Sequence, residues 1–345
     1  MIDWQRLRIP LLHDPIPSGR VLSIDSDGEM EWQTAKKVSI RGSYESNMLV
    51  RSQGGDGMGR ATQLFIDGNP SKFIQGHNVF GSEDNLGLAE EVMRRICHAY
   101  KKLPKDFAIR KAREGDFEQL GIHIARSFDA GSPQRAHAIQ DALALKSRTR
   151  NGRAQSRAGT NYWNMSARKN RWLAKSYLKG EEIVSRKKGH QLPEGLKNLG
   201  LEEFAKNIIR IEFEIYKQEF IERDVPLVYG HQFDEATIDK LYSEYWGRIE
   251  MSAQAAIPSH ELDSLSRSLK STYLCWQNGV QVRANMSKPT FYRHRAELLP
   301  FGVDIAIPND HQSSNVIPLF QIIEAKAVSA PDWSYEKGLI FVPKR

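Results

Sequence analysis

Along the first 80 residues the apolar positions fall in short alternating runs, not at helical spacing. Val21-Leu22-Ser23-Ile24 leads into Asp25-Ser26-Asp27-Gly28, a hairpin-turn composition, and Glu29–Trp32, Lys37–Arg41 and Asn47–Arg51 read as further strands. Gly54, Gly55, Gly57 and Gly59 hold a GxGxG spacing, but the alternating run Arg60–Asp67 follows where a phosphate loop needs a helix N-terminus, so the cluster reads as a hairpin tip. From Leu86 to Tyr100 the period becomes helical, with Leu88, Val92, Ile96 and Ala99 on one face. Two strands joined near Gly115-Asp116 are expected next. Ser132-Pro133 supplies a cap and a first-turn proline for a helix to about Leu145. Asp224–Leu227 reads as a linker. Beyond it the chain is mostly helical to Leu299, with extended pieces at the end.

Three segments place apolar residues on one strand face and chemistry on the other. In Phe117–Asp129, Leu120, Ile122, Ile124 and Phe128 oppose Gln119, His123, Ala125, Ser127 and Asp129. In Ile208–Ile215, Ile209, Ile211, Phe213 and Ile215 oppose Arg210, Glu212 and Glu214; the β-branched residues favour a strand over a helix running from Leu201 to Glu222. In Arg171–Lys179, one face holds Arg171, Leu173, Lys175, Tyr177 and Lys179. An imidazole and carboxylates suit metal binding or acid–base work, and a tyrosine between two lysines has a stabilised phenolate and cations for a phosphate.

Composition narrows the class. At ~150 residues per domain, 345 residues and a hydrophobic fraction of 40% fit roughly two globular domains and exclude wholesale disorder. No apolar stretch approaches the length of a transmembrane helix, and no secretory signal is expected from Met1-Ile2-Asp3-Trp4-Gln5-Arg6. Cys97 and Cys275 give neither a disulfide framework nor a zinc spacing, and a reducing cytoplasm is expected. The net charge of +7 is concentrated. Lys146–Lys179 holds ten basic residues and no acid, interleaved with Tyr162, Trp163, Trp172 and Tyr177, whereas residues 226–345 hold 12 basic and 13 acidic residues. Basic residues among aromatics suit a polyphosphate whose bases stack. Arg148, Arg150, Arg153, Arg157, Arg168, Lys169 and Arg171 are therefore candidate DNA contacts.

Certain strings carry a resemblance. They are Asn69-Pro70-Ser71-Lys72-Phe73-Ile74-Gln75-Gly76-His77-Asn78-Val79-Phe80-Gly81, then Tyr177-Leu178-Lys179, Arg210-Ile211-Glu212, Asn315-Val316-Ile317-Pro318-Leu319 and Pro331-Asp332-Trp333. In this order the chain resembles the replication initiators of filamentous bacteriophages, the gene II family of rolling-circle nickases related to HUH initiators. The resemblance implies an α+β nicking domain with a central antiparallel sheet over residues 1–225, and a mostly helical domain over 226–345. It implies Tyr177 as nucleophile, aided by Lys175 or Lys179, and Glu212 as a ligand of Mg²⁺ or Mn²⁺. The implied partners are phage origin DNA, supercoiled and as a displaced single strand, with host DNA polymerase and helicase; no membrane is implied. One departure stands out. Where the family strand reads Arg–hydrophobic–Asp, this chain has His123-Ile124-Ala125, so His123 or Asp129 is expected to replace the missing ligand. His77 is open to two readings, a metal ligand or part of a turn.

A last motif lies near the end. Ser287-Lys288-Pro289-Thr290 caps a helix bearing Arg293, His294 and Arg295, behind a helix Leu262–Trp276 that ends at Asn278-Gly279. This pattern suits a helix-turn-helix whose second helix reads DNA through Arg293 and Arg295. It keeps open a rival function, a non-enzymatic DNA-binding regulator, and the basic block alone keeps open an RNA-binding protein.

Overall fold

The computed structural model describes residues 1–165, 171–185, 189–251, 262, 264–299, 303–306 and 327–343. The alternating N-terminal pattern forms β2 (Arg20–Ile24), β3 (Met30–Ala35), β4 (Val38–Arg41), β5 (Asn47–Gln53) and β6 (Ala61–Gly68), with the glycine cluster at the β5–β6 connection as expected. The two-faced segments form β7 (Glu118–Asp129), β12 (Trp172–Leu178) and β13 (Ile208–Tyr216). The basic block contributes β8 (Ser147–Thr149), β9 (Gly152–Arg153), β10 (Gln155–Arg157) and β11 (Thr160–Trp163), and β14 (Glu250–Met251) completes the strands. The short strands β8–β11 and β14 were not expected, and neither was one long strand. β1 (Ile2–His13) enters the middle of the sheet, antiparallel to both β6 and β7. The main sheet has nine strands in the order β10-β11-β12-β13-β7-β1-β6-β5-β4. Every pair in it is antiparallel, as the α+β reading requires.

The helices are α1 (Pro70–Gln75), α2 (Asn85–Ala99), α3 (Lys105–Glu114), α4 (Pro133–Lys146), α5 (Lys179–Val184), α6 (Leu201–Ala205), α7 (Lys217–Ile221) and α8 (Glu235–Trp246). Here α3 replaces the first of the two strands expected around Gly115, and the second forms as β7. Ala108, Ile109 and Ala112 bury one helical face, and Gly115 ends the helix at φ 71°. A Cβ at Gly115 would lie 2.3 Å from the backbone nitrogen of His231, so glycine is required twice over.

One core runs under the whole sheet and takes in Phe233, Ile238, Leu241, Tyr242, Tyr245 and Ile249. Hence α8, beyond the Pro226 stretch, packs on the sheet, and the core changes between Ile249 and Leu262. The second core joins the helices Arg267–Gln277 and Lys288–Leu298 through Leu269, Tyr273, Trp276, Phe291 and Leu298. A third joins Val79 and Phe80 to Leu201, Trp333 and Leu339, bringing the Pro331-Asp332-Trp333 tail back onto the Gly76–Gly81 string. Among the described residues no helix is long and apolar enough to cross a membrane.

Candidate active site

The sheet sorts its side chains as strand alternation dictates. On one face Phe213 meets Tyr242 and Trp172 meets Tyr245, with ring centroids 5.0 and 5.4 Å apart, and Gln140 of α4 donates to the backbone of Ser176. This is the apolar face, roofed by α4 and α8. The other face gathers the polar partners of three neighbouring strands. In register, Lys175 opposes Glu212, Tyr177 opposes Arg210, and Glu212 and Glu214 oppose Ala125 and His123.

Glu212 is the hub. Its side chain is wholly buried; Oε1 lies 3.1 Å from His123 Nδ1 and 2.9 Å from Lys175 Nζ, and Oε2 accepts from the Tyr177 hydroxyl at 3.4 Å. Glu214 stands beside it. Its Oε1 lies 3.1 Å from Lys175 Nζ, and its Oε2 accepts from the Tyr216 hydroxyl at 2.7 Å. Stacking on Trp4 at 5.8 Å and an edge contact with Tyr216 fix the His123 ring. Burial alone would push the Lys175 ammonium toward neutrality, but the two carboxylates outweigh it and raise its pKa. The Tyr177 phenol is also raised, first by burial and then by Glu212. The cations beside it do not draw it down as the sequence suggested, because burial and the Glu212 and Glu182 carboxylates outweigh them.

Beneath Tyr177 lies a buried ionic layer. Arg210, fully buried, donates to the carbonyls of Asn78 and Val79 and to Ser127 Oγ. Asn78 Nδ2 donates to Asp3 Oδ1 at 2.7 Å, and Asn69 Nδ2 donates to the same oxygen at 3.1 Å. Lys179 Nζ donates to Asn78 Oδ1 at 2.8 Å and to Glu182. Burial and the Arg210 charge lower the Lys179 pKa to about 7. The Gly76–Gly81 string thus cradles the cations under the tyrosine. Asp3 was missed at sequence level, since only the unrecognised β1 places it there.

Two of the expected ligands lie elsewhere. His77 is buried, with Nε2 2.8 Å from the Leu339 carbonyl, Nδ1 accepting from Val79 N–H, and an edge contact to Phe80. Burial lowers its pKa to about 4. It takes the turn-and-packing role, with both ring nitrogens used. Asp129, at the exposed end of β7 opposite Ile208, accepts from Gly131 N–H and is not part of the cluster. The second carboxylate is Glu214, which was legible as the alternate position after Glu212. Donor atoms of His123, Glu212 and Glu214 all lie within 4.8 Å of one another. One imidazole and two carboxylates form a mostly hard donor set, which fits Mg²⁺ or Mn²⁺ completed by water or phosphate oxygens.

The candidate DNA residues divide. Arg150 and Arg157 are exposed, and no ion pair engages them among the described residues. Arg148 pairs with Glu250, Arg171 pairs with Glu219 and Glu222, and Arg153 is half-buried beside the charges of Asp304 and Arg148. Arg168 and Lys169 lie outside the described residues, as does Asn315–Leu319. A cleft of about 1140 Å³ is lined by Arg150, Arg171 and Arg248, but also by Glu219, Glu244 and Glu250, and no residue of the Glu212 cluster reaches it. Its mixed charge does not favour a polyanion. In the C-terminal helix pair, Arg293 is exposed, whereas Arg295 is held by Asp304 through two 2.7 Å bonds and His294 is buried against Thr272. Of the expected reading residues on that helix, Arg293 is therefore the more exposed, 4.0 Å from Glu297, while Arg295 is committed to Asp304.

The family model for the N-terminal part of the gene II-type replication-associated protein matches residues 1–236, and the model for its C-terminal part matches residues 257–340. The replication-associated protein of this type from Enterobacteria phage I2-2 is 37% identical over 347 residues, covering 100% of this chain and 99% of that relative. No solved structure matches the chain. With both family models in order and a relative matched end to end, the chain belongs to the gene II-type family of phage replication-associated proteins.

Proposed function

We propose that the protein initiates phage rolling-circle replication by nicking, and later rejoining, one strand of its origin DNA through Tyr177. The observation that carries the reading is the Tyr177 hydroxyl on Glu212 Oε2, within the His123–Glu212–Glu214 cluster. Tyr177 Oη attacks the scissile phosphorus. An O–P bond to tyrosine forms, the P–O3′ bond breaks, and the products are a 5′-phosphotyrosine and a free 3′-hydroxyl. Glu212 Oε2 is the acceptor nearest the phenol proton, and the departing 3′-oxygen takes up a proton from the site. The raised pKa of the resting phenol means that this proton must be removed in step with attack. Lys179 and Arg210 set positive charge beneath the ring, where the phosphate's charge can be met. His123, Glu212 and Glu214 would hold Mg²⁺ or Mn²⁺, which when bound offsets charge on the phosphoryl oxygens. Arg150 and Arg157 would hold the backbone of the strand. Reversal of the same step joins the displaced circle, and a host polymerase would extend the 3′-hydroxyl.

The test is incubation with supercoiled plasmid carrying the cognate phage origin, with and without Mg²⁺. The reading requires open circles and a protein–DNA adduct that depend on both origin and ion. A plasmid left supercoiled under all conditions refutes it.

A further inference from the structure

In the cluster, a place for a divalent cation is already taken by a side chain. Lys175 Nζ lies 2.9 Å from Glu212 Oε1 and 3.1 Å from Glu214 Oε1, bridging the two carboxylates that would bind the ion. Glu212 is wholly buried and its Oε1 also faces His123, so the oxygen Lys175 holds is one the ion needs. Two carboxylates this close repel each other unless a cation lies between them. Lys175 supplies that cation from the cross-strand position directly opposite Glu212, with its side chain about one-fifth exposed toward solvent.

We infer that Lys175 is an internal counter-ion that holds the site in a resting form and is displaced when a divalent ion binds. This rests on the metal reading above and adds a regulation to it. The freed ammonium remains on the strand face of Tyr177, two residues away. Ion binding therefore leaves a free positive group on the strand that carries the attacking tyrosine. By linkage, the lysine and the ion weaken each other's hold on the carboxylates equally.

Mn²⁺ binding to the full chain, read from the electron paramagnetic resonance signal of the free ion, tests this without any turnover. Lys175→Met removes the competitor and is expected to tighten Mn²⁺ binding by about tenfold, an ordinary size for such coupling. Lys175→Arg keeps a cation in place and should not tighten it. In the unaltered protein, saturating Mn²⁺ should make the Lys175 amine acetylate several-fold faster, as mapped by mass spectrometry; this reading stands even where Lys175→Met fails to fold. If Mn²⁺ binds and Glu212→Gln weakens it, but Lys175→Met binds no tighter or Lys175 labelling is unchanged, the displacement is refuted while the metal reading survives. If no Mn²⁺ binding depends on Glu212, both fall.

Discussion

Tyr177 and Glu212 lie diagonally across the β12–β13 pair, with the phenol hydroxyl donating to Oε2 at 3.4 Å. The bond is long, yet it joins the one tyrosine of the Tyr177-Leu178-Lys179 string to the most buried acid of the site. Tyr177→Phe deletes only the oxygen, so stability should change by less than about 1 kcal/mol. Nicking and adduct formation should fall by at least ~1,000-fold. Gel assay of the adduct, with peptide mapping in the wild type, decides the matter: an adduct on another tyrosine, or cleavage intact in Tyr177→Phe, removes Tyr177 from its role.

Glu212 and Glu214 are both expected to matter, but in different ways. Glu212→Gln loses an ion ligand and the acceptor of the phenol proton, so nicking should vanish at any Mn²⁺ concentration. Glu214→Gln touches only the ion side, so activity should fall and partly return as Mn²⁺ is raised. Origin binding should persist in both. Equal and unrecoverable loss in the two variants would mean that the carboxylates do not divide the work this way.

How much of this was legible beforehand depends on phase. β12 and β13 alternate cleanly, and so does β7 from Gly121 onward, past the skip at Leu120 in its pairing with β1, so His123, Lys175, Tyr177 and Glu212 could be placed on polar faces from the sequence. β1 could not be seen. Asp3, Gln5, Arg6 and Arg8 spread polar groups over both faces, Pro10 interrupts the run, and the pairing with β7 skips Asp3 between Ile2 and Trp4. With β1 unseen, Asp3 and the ionic layer it anchors were invisible as well. The helix α3 offers just Ala108, Ile109 and Ala112 as an apolar face, too little to stand out by period. The role of His77 depends on Leu339, 262 residues away, a contact no local pattern encodes.

Asp67 gives a test of the sheet that is independent of catalysis. Buried on β6, it accepts from Trp4 Nε1 at 2.8 Å and Lys37 Nζ at 2.6 Å, and pairs with Arg6 at 3.2 Å. Burial would raise its pKa, but these bonds and charges outweigh it and lower the folded value. The unfolded value is near ~3.9. The stabilisation is therefore fully present above that pH and is lost as pH falls through the folded value. Asp67→Asn should cost about 1–3 kcal/mol at pH 7, and the gap in urea unfolding should close as pH drops below about 4. A gap constant down to about pH 3, well into that window, would mean that the carboxylate charge contributes nothing.

The basic block separates a held DNA strand from a solvated loop, and the structure sharpens which residues should count. Phosphate contact releases condensed counter-ions, so each contact adds roughly 0.7–0.9 to the slope of log affinity against log salt. Arg148 and Arg171 already face carboxylates, and using them on DNA means giving up those pairs. Arg150 and Arg157 are exposed and carry no such cost. Arg150→Gln with Arg157→Gln should therefore lower the slope by roughly 1.4–1.8, while Arg148→Gln alone lowers it by less than one contact. Arg293→Gln on the C-terminal helix provides the contrast. A protein that binds chiefly through that helix, as a regulator would, loses affinity there and keeps its slope in the Arg150/Arg157 double variant. A nickase that holds its strand through the basic block shows the opposite, and filter binding across roughly 50–300 mM salt (about a sixfold range, wide enough to fix a slope) distinguishes the two.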